Sequence, residues 1–348
     1  MDFRTLGRTG LKVSLICLGT MTWGEQNSQD EAFAQMDYAL AKGVNFFDTA
    51  EMYAIPPKRE TYGLTEQIIG NWFAKSGKRK DVVLATKVAG PASHMDWVRG
   101  GKAALTHAQI IEAAETSLRR LKTDYIDLYQ IHWPQRSVNS FGKLGFPEPA
   151  VTGGESAGIL EVLTALQDLV KSGKVRHAGV SNETPWGVMT YLNHAAAQGL
   201  PRIASIQNPY NFLNRSFEVG LAEIALQEQV GLLAYAPLAA GSLSGKYLDG
   251  RVPKGSRWDI DARVSRYKRA KTDEAVRAYM AIAKKHGLDP TQMAIAFVNR
   301  QAFVTSTIIG ATKMDQLTSN IAAAEVTLPD EVVAEINGVH ALISNPCP

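Results

Sequence analysis

Asp48 and Tyr53 in FFDTAEMY, Lys87 in VVLATKV and His132 in DYIDLYQIHWP stand at or just beyond the ends of three apolar runs. A carboxylate, a phenol, an ammonium and an imidazole are the groups needed to deliver a proton to a carbonyl oxygen. A free phenol, with a pKa near ~10, is a weak acid at neutral pH, and a neighbouring ammonium lowers that value by stabilising the phenolate. Lys87 can supply that charge, with Asp48 holding the lysine protonated and oriented through an ion pair. His132 can hydrogen-bond a carbonyl and orient it. Taken singly, each has an ordinary reading: Asp48 a loop cap, Tyr53 a rim aromatic, Lys87 a solvated charge, His132 a residue closing a strand. Standing at three consecutive strand ends, they are better read as one site.

The elements that must position them follow from the apolar pattern. Eight runs read as strands: 14–19, 44–49, 81–87, 125–132, 175–181, 203–207, 231–237 and 306–311. Many are apolar on both faces, as parallel strands covered by helices are. Helical patterns lie between them. Ser28 to Glu31 and Thr106 to Gln109 have capping-box spacing, Thr184-Pro185 reads as an N-cap followed by proline, and Thr312 to Asp315 opens a helix carrying Met314, Leu317 and Ile321. Eight alternations favour a closed (β/α)8 barrel, an α/β TIM barrel in one domain over 1–348, rather than an open sheet. Strand parity groups Asp48 with Val44 and Phe46, Lys87 with Val83 and Ala85, and His132 with Ile126, Leu128 and Gln130, so the polar groups converge at the barrel mouth. Residues 3–13 read as a hairpin closing one end, and the long stretches 88–105, 133–157 and 238–271 as loops, the first two at the C-terminal face.

Composition sets outer bounds. The 348 residues are 45% hydrophobic and 20% charged, with a formal net charge of +3. These are values of a globular protein with a core large enough to need no disulfide framework. No block of like charge points to nucleic acid, and no apolar stretch is long enough for a membrane span. Cys17 in SLICLG reads as buried, and Cys347, near the last residue, as exposed. Two such cysteines and an opening MDFRTLGRTGL without an apolar leader core lead us to expect a reducing, cytoplasmic setting. Oligomeric state is not legible. No metal site is expected.

At DTAEMY, DLYQIHWPQR, GVSNE, IQNPYNFLNR and GSLSGKY, and over nearly the whole length from GTMTWG to GATKMDQLTSN, the chain resembles the aldo-keto reductases. It is most like their bacterial Tas-type members, which are similar to the potassium-channel β-subunit branch. The resemblance implies a (β/α)8 barrel, NADPH-dependent carbonyl reduction, and Asp48, Tyr53, Lys87 and His132 as a tetrad with Tyr53 as general acid.

There is no G-x-G-x-x-G between a strand and a helix, so a Rossmann site has no support. Gly241-Ser-Leu-Ser-Gly245-Lys246-Tyr247 is one residue short of a P-loop, yet its backbone N–H groups and Lys246 suit phosphates. The resemblance implies that Ser181, Asn182 and Gln207 hold the nicotinamide amide, that Tyr235 stacks on the ring, and that Gly19, Thr20 and Met21 line its pocket. It places the pyrophosphate on Ala236, Pro237, Leu238, Gly241, Leu243, Gly245 and Lys246, with Arg257 reaching over it. The 2′-phosphate end falls to Thr312, Lys313, Gln316 and Asn320, with Gly310 also among the cofactor residues, and Lys313 argues for NADP over NAD. Two departures stand out: Ala236 replaces a frequent serine, and AIPPKRETY (54–62) is inserted before Gly63-Leu-Thr-Glu66.

For a small carbonyl substrate, Trp23, Met52, Trp97 and Trp133 lie on loops expected at the mouth. Trp23 and Trp133, with Tyr53 and His132, are the candidate pocket, whereas Trp97 reads better as loop packing. No cluster of carboxylates or arginines is expected at the mouth to dictate a charged substrate. Two competing readings share these residues: a nucleotide-sensing regulatory subunit with slow turnover, and a Schiff-base aldolase using Lys87.

Overall fold

The computed structural model describes residues 1–92, 94–146 and 154–348. The chain opens with an antiparallel hairpin of β1 (Phe3–Thr5) and β2 (Lys12–Ser14). Eight parallel strands follow: β3 (Ile16–Gly19), β4 (Phe46–Asp48), β5 (Val83–Val88), β6 (Ile126–Ile131), β7 (Val175–Ser181), β8 (Ile203–Pro209), β9 (Gly231–Tyr235) and β10 (Val304–Ile309). They close in sequence order, β10 pairing with β3, into a (β/α)8 barrel. Between them run α1 (Gln29–Ala41), α2 (Leu64–Ser76), α3 (His107–Leu121), α4 (Glu155–Lys171), α5 (Pro185–Gln198) and α6 (Leu221–Gln227). The last crossover, from β9 to β10, holds α7 (Arg257–Ile260), α8 (Thr272–Lys285) and α9 (Pro290–Arg300), and α10 (Met314–Ala322) and α11 (Asp330–Leu342) end the chain. No helix among the described residues is long and apolar enough to cross a membrane.

Alternation along the strands builds two packed regions. Cys17, Phe46, Ala85, Leu128, Leu233 and Ile308 point inward and fill the barrel, where Leu6 and Val13 of the hairpin join them. The intervening residues, Ile16, Leu18, Phe47 and Leu84 on one side and Tyr129, Ile131 and Val180 on the other, pack under the helices. Val44 and Ile126 fall in this outer layer, against the parity expected of them: Val44 precedes the strand proper, and Ile126 is its first residue. The inward rows continue upward as Asp48, Lys87 and Gln130, so the same alternation that fills the core delivers polar groups to the top.

Several local expectations need correction. Ser28 forms the full capping box with Glu31, and Thr184 caps α5. Thr106 also caps, but Gln109 does not reach back. Its carbonyl oxygen accepts instead from Ala104 N at 2.7 Å. Thr312 is not a cap: α10 starts at Met314, and Lys313 occupies the cap position without a side-chain bond. The eighth strand begins earlier than read, at Val304, leaving 310–311 as loop. Cys347 is buried, not exposed. Its N–H donates to Leu213 O, and its Sγ lies 3.2 Å from Thr272 Oγ1. Part of the 133–157 loop, residues 147–153, lies outside the described residues.

Candidate active site

The C-terminal ends of β4, β5 and β6 bring Asp48 and Lys87 together and set Tyr53 and His132 above them. Lys87, fully buried, donates to Asp48 Oδ2 at 2.6 Å and to Thr49 O at 2.7 Å. Asp48 Oδ1 accepts from Gln207 Nε2 at 2.8 Å and from Gln130 Nε2 at 3.2 Å. Both carboxylate oxygens are therefore committed, as a buried charge requires. Burial works against the Lys87 charge, but Asp48 and Tyr53 outweigh it, and the lysine stands above its ordinary pKa.

Tyr53 is half-buried, with its ring centroid 5.0 Å from Lys87 Nζ. Burial pushes its phenol up, Lys87 pulls it down, and the net direction is upward. This corrects the expectation of a lowered pKa: the ammonium acts in the expected sense but does not overcome desolvation. The His132 ring lies edge-on to Tyr53, centroids 5.8 Å apart. Burial, Lys87 and Arg263 hold that imidazole well below its ordinary pKa, so it is neutral at pH 7. Its backbone is fixed by His132 N donating to Val88 O at 2.9 Å and by Asn182 Nδ2 donating to His132 O at 2.8 Å.

Among the residues expected at a nicotinamide, Ser181 Oγ donates to Gln207 O at 2.8 Å, and Tyr235 OH donates to Asn182 Oδ1 at 2.7 Å. Gly19 ends β3, Thr20 Oγ1 donates to Asp48 O at 2.9 Å, and Met21 O accepts from Ile55 N. These residues form one continuous rim with the tetrad. Beyond Tyr235, Ala236, Pro237 and Leu238 lead into a tight turn in which Ala239, Ala240 and Gly241 all have positive φ. Left-handed alanines cost about 1–3 kcal/mol each, and such strain concentrates at functional turns. Gly241 is the close-approach point, where a Cβ would sit 3.2 Å from Lys246 Nζ. Leu243 is buried in the core, so its backbone alone can serve a ligand, and Gly245 turns the chain back with φ +76°.

Arg257 reaches across the mouth. Its Nη2 pairs with Asp261 at 2.8 Å and lies 4.0 Å from Met21 Sδ, while its Nη1 is buried with no hydrogen-bond partner among the described residues. An orphaned guanidinium N–H and the Lys246 ammonium beside a glycine turn fit a pyrophosphate. Further round, Thr312 is bonded through its N–H and hydroxyl to Gln316 Oε1, Asn320 Nδ2 donates to Gly310 O, and Lys313 is exposed.

On the substrate side the structure divides the candidates. Trp133 is half-buried at the mouth, its ring 4.9 Å from His132, with Nε1 donating to Pro91 O. Trp23 is not at the mouth. It is fully buried under α1 and α2, its Nε1 donating to Gln35 Oε1 at 3.0 Å. Met52, Ile55, Ala92, Met95 and Val98 form an apolar cluster against which Met21, Tyr53, Tyr62, Trp97 and Trp133 pack.

The sequence reading missed a buried latch beside Tyr53. Glu51 accepts from Arg99 Nη1 and Nη2, both at 2.9 Å, from Ala89 N at 2.6 Å and from Tyr62 OH at 3.1 Å. Residue 62 belongs to the inserted stretch, so the insertion is tied to the loop that carries the tetrad tyrosine. Arg263 and Arg266 also lie near enough to act on His132 and Tyr235, which corrects the expectation that no arginine cluster stands at the mouth.

A closed parallel barrel with these groups at its mouth defines a class that comparison with known proteins makes explicit. Residues 15–341 match the model of the aldo/keto reductase family, and the chain belongs to that family of oxidoreductases. It is 51% identical over the full length of both chains to "Protein tas" of Escherichia coli (strain K12). It is 34% identical to "Uncharacterized oxidoreductase YrpG" of Bacillus subtilis (strain 168), covering 97% of this chain and 96% of that one. It is also 30% identical to "Norsolorinic acid reductase B" of Dothistroma septosporum, covering 98% and 82%.

Proposed function

We propose that this protein reduces aldehyde or ketone carbonyls to alcohols with NADPH, using Tyr53 as general acid. The observation that carries the reading is the buried Lys87–Asp48 pair lying directly under the Tyr53 ring, beside a neutral His132. Tyr53 keeps its proton at neutral pH and gives it up as negative charge develops on a carbonyl oxygen. Lys87 stabilises the phenolate that remains until solvent returns a proton. Neutral His132 donates a hydrogen bond to that oxygen and sets the carbonyl's orientation. When bound, the reduced nicotinamide supplies the hydride that the carbonyl carbon accepts.

Ser181, Asn182 and Gln207 are the residues proposed for its amide, Tyr235 for its ring face, and Gly19, Thr20 and Met21 for the pocket wall. The turn 236–246 and Arg257 are proposed for the pyrophosphate. Lys313, with Thr312, Gln316 and Asn320, is proposed for the 2′-phosphate, with Gly310 also among the cofactor residues. That cation, exposed at the start of α10, favours NADPH over NADH. Trp133 and the apolar cluster around Met52 form the substrate wall. A cytoplasmic setting belongs to the same proposal.

Lys87 does not suit Schiff-base chemistry, because Asp48 holds it as an ammonium rather than a nucleophilic amine. The direct test is NADPH and NADH oxidation by the full-length protein against a panel of aldehydes, ketones and quinones. The reading expects turnover with at least one carbonyl class and a preference for NADPH. NADPH binding with no carbonyl turnover would leave a nucleotide-binding protein and defeat the reductase assignment.

A further inference from the structure

The segment from Arg257 to Lys268 carries four basic residues, Arg257, Arg263, Arg266 and Lys268, against two acidic ones, Asp259 and Asp261. Asp259 is occupied by Gly255 N at 2.7 Å. Asp261 is shared: Arg263 grips it with Nε and Nη2, both at 2.9 Å, and Arg257 pairs with it at 2.8 Å. Arg266 is left without an ion pair among the described residues. Other arginines bordering the site are matched one to one, Arg99 with Glu51 and Arg136 with Glu183.

Arg266 is also not a solvated surface charge. It is half-buried, with its guanidinium carbon 5.9 Å from the centroid of the Phe141 ring and 5.6 Å from that of Tyr267. Gly142, with φ +86°, lets the loop approach, since a Cβ there would fall 2.7 Å from Arg266 Cβ. Phe141 packs edge-on against Trp133 with centroids 6.4 Å apart, Trp133 lies against His132, and His132 against Tyr53. An unbroken row of rings thus runs from the proton donor to Arg266, which also sits beside the Tyr235 phenol. A planar guanidinium between aromatic faces, desolvated, bonded to the Tyr235 phenol and without an ion-pair partner among the described residues, has donors left to bind an oxyanion.

We propose that Arg266 recognises a carboxylate or similar oxyanion on the substrate, and that the preferred substrates are carbonyl compounds bearing such a group a short spacer away from the reacting carbon. Arg263 adds charge to the same side of the mouth. The inference rests on the reductase reading and narrows its substrate class. Phe141 and Trp133 flank the spacer, so flat or aromatic spacers fit the row best.

The test uses a matched pair, 4-carboxybenzaldehyde and its methyl ester, with the full-length protein at saturating NADPH. Wild type is expected to favour the acid in kcat/KM by about tenfold or more, since a site built around a polar group rejects an analogue lacking it. Arg266→Met is expected to remove that preference mainly through KM for the acid, and Arg266→Lys to keep part of it. The acid-to-ester ratio cancels any general effect on folding or on Tyr235. NADPH affinity of each variant is measured in parallel by fluorescence.

An unchanged ratio in Arg266→Met overturns the proposal. So does a wild type that treats both aldehydes alike. A loss of NADPH affinity with the ratio intact assigns Arg266 to the cofactor and also overturns it. If neither aldehyde is reduced, the reductase reading is what fails. Binding of 4-carboxybenzaldehyde followed by tryptophan fluorescence then decides the anion site separately: Arg266-dependent binding supports it, and none, or binding independent of Arg266, refutes it.

Discussion

Asp48 shows how much of the site depends on single atoms. One oxygen takes the Lys87 ammonium, and the other takes two amide N–H groups, from Gln207 and Gln130. The carboxylate therefore has no free rotation, and the lysine it holds is fixed under Tyr53. The pKa directions make a testable profile. Burial keeps the Tyr53 phenol protonated beyond the ordinary tyrosine value, and burial keeps His132 neutral below the ordinary histidine value. The acid form of one and the neutral form of the other thus coexist across the whole interval between them. The rate of carbonyl reduction is expected to be flat from about pH 6.5 to about pH 10. A fall near neutrality, measured in steady-state pH profiles, would contradict this assignment. The grouping of Asp48, Lys87, Tyr53 and His132 was legible in the sequence because polar side chains at the ends of parallel apolar strands collect at one face of the sheet. Trp23 was misread because a tryptophan after a strand looks the same in sequence whether it faces a ligand or a helix. Here Gln35 satisfies its N–H and buries it.

At the scale of elements, strand alternation was legible and loop-to-loop pairing was not. Glu51 and Arg99 lie on the loops after β4 and β5, where no periodicity links them. Nothing in FFDTAEMY announces that its glutamate is the anchor of a second loop. The same holds for Arg263 and Arg266, whose approach to the mouth depends on how residues 257–268 fold back over it. Side-chain exposure at the latch is 1% for Glu51 and 8% for Arg99, so removing the arginine leaves a buried, uncompensated carboxylate. Arg99→Met is expected to cost about 3–5 kcal/mol of stability. Hydrogen exchange should also show faster amide exchange at Ala89 and across 95–105 than in the helices. Unchanged protection of that loop would mean the latch does not hold it. The capping signal at Thr312 misleads for a related reason: spacing alone cannot say whether a helix starts at the cap or two residues later, as α10 does.

At the scale of the molecule, the barrel separates stability from chemistry. The hairpin seals the N-terminal end, with Leu6 and Val13 buried against Cys17, Phe46 and Leu233, while the tetrad lies at the other end. Leu6→Ala is expected to lower stability to urea by about 2–5 kcal/mol. The kcat of the remaining folded protein should stay close to wild type. A variant that loses kcat in proportion to stability would show that the two ends are coupled. The barrel itself was legible from eight apolar runs separated by helical patterns, a count and order that favour closure over an open sheet. The chain end was not: Cys347 was read as exposed from its position alone, yet the last residues fold back and bury it against Leu213 and Thr272.

In the proposed reaction the barrel mouth delivers a proton from Tyr53 to a carbonyl oxygen. The most direct test is single-turnover NADPH oxidation, followed by stopped flow, in wild type and Tyr53→Phe with the best aldehyde from the substrate panel. Tyr53→Phe is expected to bind NADPH with wild-type affinity and to slow hydride transfer by about 10²–10⁴-fold. A Tyr53→Phe protein that transfers hydride at the wild-type rate would contradict this role for Tyr53.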